Sequence, residues 1–180
     1  MTLTKSILRL ALVTTGLLLI PLVAMQLTTE VTWTLSDFVV AGGLLFGAGL
    51  AYLLVARQGN GPYRLAAGVA VAAGLLLIWV NLAVGLIGSE NNPANLLYGG
   101  VLTVAAVGAL AARFQPQGMA RAMFAAALVQ LAVPLVAALI WRPAVNLGML
   151  QVLVLNAAFA GLWAAAGWLF RRASNTGALA

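Results

Sequence analysis

Arg64-Leu-Ala-Ala-Gly-Val-Ala-Val-Ala-Ala-Gly-Leu-Leu-Leu-Ile-Trp-Val-Asn-Leu-Ala-Val-Gly-Leu-Ile-Gly88 decides the fold. After its single arginine no charged residue follows until Glu90. A helix needs about 20 apolar residues to cross a hydrocarbon layer about 30 Å thick, and residues 65–88 supply them. Working outward, similar stretches recur at 7–27, 37–56, 96–113, 119–141 and 148–170. They must be helical, because any other spanning backbone would strand polar groups in lipid, and the alternation of a membrane β-strand is missing. The expectation is an all-α polytopic membrane protein. Its residues 1–180 form a single transmembrane domain of six helices, arranged as three antiparallel hairpins joined by short loops.

The composition agrees. The chain is 64% hydrophobic and 7% charged, where a water-facing domain of 180 residues would be about 25% charged. There is no Cys and no His, so disulfides, thiol chemistry and the commonest metal, haem and general-base residue are excluded. No catalytic set, metal site or cofactor site is expected. The net charge of +6 does not point to nucleic acid, because the basic residues stand singly or in pairs at segment ends.

Those positions orient the chain. Lys5 and Arg9 precede the first span; Arg57 and Arg64 bracket the loop after the second, Arg113 and Arg121 that after the fourth, and Arg171 and Arg172 follow the sixth. With six spans all of these share one side. Glu30, Asp37 and Glu90, the only acids, share the other with Arg142. The positive-inside rule then places both termini in the cytoplasm. Lys5 and Arg9 before an apolar run also fit a signal peptide. The run continues from Leu10 to Met25, however, and Val23-Ala24-Met25 is a poor cleavage site, so a retained helix is expected.

Short echoes occur, such as Gly16-Leu-Leu-Leu-Ile20 with Gly74-Leu-Leu-Leu-Ile78; chains of Ala, Leu and Val produce these without a true repeat. Small residues offer helix contacts: Gly43 and Gly47 in span 2, Ala105, Gly108, Ala109 and Ala112 in span 4, and Ala157, Gly161 and Ala165 in span 6. Pro21 and Pro134 each remove a helical hydrogen bond.

The densest polar cluster is Ser89-Glu-Asn-Asn-Pro-Ala-Asn95. Asn92-Pro93-Ala94 matches the aquaporin tripeptide, but it follows the third span instead of the second, and the later echo reads Arg142-Pro143-Ala144. Capping explains the loop better, with Asn92 covering the first amides of span 4 and Pro93 at the first helical position. The same logic gives Thr34 or Ser36 with Asp37 at span 2, and Asn146 at span 6. Inside the spans, rise per residue puts Gln26, Asn81 and Asn156 roughly 22–26 Å above the arginine level, with Gln130 and Thr103 roughly 14–15 Å up. Amides are costly in lipid, so they face other helices or a wet cavity. A substrate site would use Asn81, Asn156, Gln26 and Trp79, rimmed by Glu90 and Asp37. Simple interhelical hydrogen bonding is the plainer account.

The run Trp79-Val-Asn-Leu-Ala-Val-Gly-Leu-Ile-Gly-Ser-Glu-Asn-Asn-Pro-Ala-Asn95, with Arg113-Phe-Gln-Pro-Gln-Gly-Met-Ala-Arg-Ala122, resembles uncharacterised small multi-pass proteins of bacterial inner membranes. The resemblance implies that location and brings no activity or site residues. Three functions compete. The first is a small-solute binding or transport module with an outward-facing polar pocket. Its helix number and length match the substrate-binding subunits of energy-coupling-factor vitamin transporters in size only, and Ala11 and Thr15 lack their first-helix Ala-x-x-x-Ala face. The second is a non-catalytic accessory or scaffold subunit, meeting a membrane partner or a second copy through the small-residue faces. The third and least supported is an intramembrane enzyme using an outer carboxylate.

Overall fold

Uninterrupted apolar sequence leaves the backbone one way to satisfy its own polar groups, and it takes it: all regular structure in the described residues is helical. The computed structural model describes residues 3–57, 59–141 and 147–177. The helices are α1 (Leu3–Leu27), α2 (Leu35–Ala56), α3 (Gly61–Ala83), α4 (Tyr98–Ala111), α5 (Pro116–Trp141) and α6 (Leu147–Gly177), with a 3-10 turn at Pro93–Leu97 leading into α4. Six segments are long and apolar enough to cross a membrane. Arg142, Pro143, Ala144 and Asn146 lie outside the described residues.

Boundaries depart from the apolar runs where local chemistry overrides hydropathy. The third span ends at Ala83 instead of 88, because Gly85 and Gly88 turn the chain with φ of +71° and +74°. A side chain at Gly85 would run into the Ser89 carbonyl, so only glycine fits. Asn60 begins α3 by accepting from the Tyr63 amide at 3.1 Å. Asn92 accepts from the Ala94 amide at 3.0 Å with Pro93 following, as capping requires. Asp37 accepts from the Thr34 amide and hydroxyl, each at 2.7 Å, and closes the start of α2. The sixth helix runs past 170 to Gly177.

The chain forms two compact units, Met1–Leu54 and Val55–Ala180. In the first, α1 meets α2 through glycines seven residues apart: Cβ atoms at Gly42 and Gly49 would press on Leu18 and Leu10. The expected Gly43/Gly47 face has open space around both glycines. Thr14 is the one buried residue of α1.

In the second unit, α5 is the most buried helix, closely packed against both α4 and α6. The α4 contact uses the small residues expected of it: a Cβ on Gly108 would lie 2.6 Å from that of Ala122, and Ala105 and Ala109 are buried. The α6 helix lies between α5 and α3. The close partner of α3 is thus α6, with its chain neighbour α4 touching through Leu102 near Gly74. The buried edge of α6 repeats in sevens through Asn156, Trp163 and Phe170, with Phe159, Ala166 and Ala173 between. Ala157, Gly161 and Ala165 lie on its exposed side.

Candidate functional site

A heptad edge places one residue of α6 toward both neighbouring helices every two turns, and at the outermost repeat that residue is Asn156. It is fully buried, as is Gln130 on α5; Tyr98, at the start of α4, is 2% exposed. Gln130 Nε2 donates to Asn156 Oδ1 at 2.9 Å. Asn156 Nδ2 donates to the Tyr98 hydroxyl at 2.9 Å and to the Val152 carbonyl at 2.8 Å. The hydroxyl lies 3.1 Å from Asn156 Oδ1. Three helices are thereby tied by one amide, that of Asn156, whose donors and acceptor are all used, while Gln130 Oε1 is buried without a hydrogen-bond partner.

Gln130 and Asn156 therefore share one layer, not the two separate levels expected. Levelling both helices on arginine misleads, because α6 overruns the arginine level. A Cβ on Gly167 would sit 3.2 Å from the Ala120 carbonyl, so those two positions are level. Counted from them, Gln130 stands about 15 Å up and Asn156 about 16 Å. Thr103, the other residue of the lower layer, is exposed and donates to its own helix at Gly99.

Outward by one turn, the packing opens. A cavity of about 650 Å³ is lined by Gly85, Leu86, Ile87, Gly88 and Asn92 of the outer loop, Pro134, Ala137 and Ala138 of α5, and Gly148, Gln151, Val152 and Leu155 of α6, among others. Small residues on both helices leave the space, and Pro134 leaves the Gln130 carbonyl without its helical donor. The loop that forms the roof is fixed by Asn95: its side chain accepts from the Ile87 amide at 2.9 Å and donates to Ser89 O at 2.7 Å. Among the described lining residues all are apolar except Asn92 and Gln151. This size falls within the usual range for small-molecule sites, about 300–1,000 Å³.

Among the residues expected to form a site, the described hydrogen bonds of Asn81, Glu90 and Asp37 do not reach Asn156. Asn81 donates to its own Leu77 carbonyl at 2.7 Å, while its Oδ1 is buried without a partner. Trp79 is half-buried on α3. Glu90 is exposed and accepts from Asn91 at 3.0 Å. Gln26 and Asp37 belong to the first unit, where Gln26 and Glu30 line a shallow depression and Asp37 serves as a cap. Among the described residues no His, Cys, Asp or Glu cluster could hold a metal ion. Tyr98 was not expected at the centre. Its signal was position, since a phenol one turn inside a capped helix carries its hydroxyl into the apolar layer, where it needs a partner.

No protein-family model matches this chain, and comparison with curated proteins and with solved structures finds none that matches. Fold and composition define an all-helical, polytopic integral membrane protein in contact with the lipid bilayer.

Proposed function

We propose that this protein is a small-molecule binding module of a bacterial inner membrane, with both termini cytoplasmic. The ligand is largely apolar with one or two hydrogen-bonding groups, and it occupies the cavity between the 85–92 loop, α5 and α6. The cavity carries the reading. It is roofed by the 85–92 loop, and among its described lining residues Asn92 and Gln151 carry the polar side chains that would meet a ligand's polar end. Asn92 spends its oxygen on the Ala94 amide and keeps its Nδ2 for a ligand. Asn81, Asn156 and Gln26 are not part of this wall; the first two act within the helix bundle.

The test is to fill the space. Ala138→Phe projects a ring into the cavity and leaves the Tyr98–Gln130–Asn156 cluster untouched. Native mass spectrometry of protein purified in mild detergent should find a retained small molecule, or a thermal-shift screen a stabilising one, in the original chain and not in Ala138→Phe. Equal retention or equal stabilisation in both would defeat the reading.

A second reading, an accessory subunit that docks on another membrane protein, draws on Gly43, Gly47, Ala157, Gly161 and Ala165, all exposed. Co-purification of a stoichiometric partner that is lost on Gly161→Leu would favour it.

A further inference from the structure

We infer that the end of the second unit opposite the cavity binds anionic phospholipid headgroups, using Arg64, Arg113 and Arg171 gathered around Tyr63. The inference rests on the chain crossing a bilayer and is independent of the cavity.

Tyr63 is 2% exposed and joins three elements. Its hydroxyl donates to the Phe114 carbonyl at 2.7 Å, its ring meets that of Phe170 edge-on at 5.0 Å, and Asn60, which caps it, also donates to the Ala173 carbonyl at 3.4 Å. Each of these anchors adjoins an arginine in sequence: Tyr63 with Arg64, Phe114 with Arg113, Phe170 with Arg171. Tyr63 and Phe170 are buried and Phe114 is half-buried, while all three arginines are exposed. Arg113 and Phe114 both hold positive φ, 47° and 58°, a conformation disfavoured for side-chain-bearing residues. The Tyr63 bond and the Phe114 amide, which donates to the Ala109 carbonyl at 3.1 Å, keep them there.

The one acidic side chain of this unit, Glu90, lies on the loop beyond the far end of α3. Arg172 stacks on Trp168 with its guanidinium 3.6 Å from the ring centroid, and such a Trp marks the headgroup level. Fixed cations at headgroup depth attract anionic lipid by charge, and each contributes about five-fold to association.

The full chain is reconstituted in vesicles of phosphatidylcholine and phosphatidylglycerol, with one lipid brominated at a time, and quenching of Trp168 is read as the component missing from Trp168→Phe. Brominated phosphatidylglycerol should quench several-fold more strongly than brominated phosphatidylcholine at low salt. High salt should erase the preference. The triple variant Arg64→Gln, Arg113→Gln, Arg171→Gln should bring the ratio to one while circular dichroism stays helical. A ratio of one in the original chain overturns the proposal, as does an unchanged ratio in the folded triple variant. If that variant does not fold, a preference that persists in high salt overturns it.

Discussion

The α1–α2 hairpin and the four-helix unit that follows are almost equally apolar, yet they are held together differently. In the hairpin, two glycines admit two leucines, and one threonine is buried on α1. In the larger unit, α4 and α5 approach until Gly108 nearly touches Ala122, and an amide–phenol cluster centred on Asn156 joins α4, α5 and α6. The contrast follows from the solvent. Lipid rewards apolar surface wherever it is, so hydrophobicity does not decide which helix faces touch. Close backbone approach and polar groups that need partners decide it.

The largest effect should come from Gly108→Leu, which forces α4 from α5 and should cost about 1–3 kcal/mol in a reversible detergent-unfolding assay. Gly43→Leu, in open space on α2, should stay within about 0.5 kcal/mol in the same assay. Equal costs would erase the distinction between the two units. Next comes Asn156→Leu, which strands Gln130 and Tyr98 at a cost of about 1–2 kcal/mol; Thr14→Val, the nearest equivalent in α1, should be close to neutral. Gly85→Ala should cost about 1 kcal/mol through its positive φ, and should appear as faster amide exchange at Ile87 as the roof loosens. Smallest is Gly42→Ala, where the new methyl meets the flexible end of Leu18 at 3.2 Å; a few tenths of a kcal/mol, either way, is expected by thermal shift.

Much of the architecture could be read from residues alone. Six spans followed from run length, and the Asn92 cap and the place of Asp37 in the first turn of α2 followed from side-chain chemistry close in sequence. The α4 seam was legible because Ala105, Gly108 and Ala109 share a face. The faces of α2 and α6 were not: Gly43/Gly47 and Ala157/Gly161/Ala165 look like better seams than Gly42/Gly49 or the heptad through Asn156. Spacing identifies a stripe and does not say which side its partner takes. The cluster was half-visible. Asn156 and Gln130 stood out as polar residues in apolar runs, but their common depth depended on how far α6 slides past α5, a tertiary quantity. The cavity left no trace in the sequence, since it arises from alanines and glycines that fail to fill space.

The length of α6 has a mechanical consequence. Its 31 residues extend about 46 Å, half as long again as a hydrocarbon layer of about 30 Å. The surplus must either lean the rod or stand clear among the headgroups, with Ser174 and Asn175 at its tip. One stiff body then joins the wall of the cavity at Val152 to the Asn60 contact at Ala173. A thicker or thinner bilayer that changes its lean acts on both ends of the same lever.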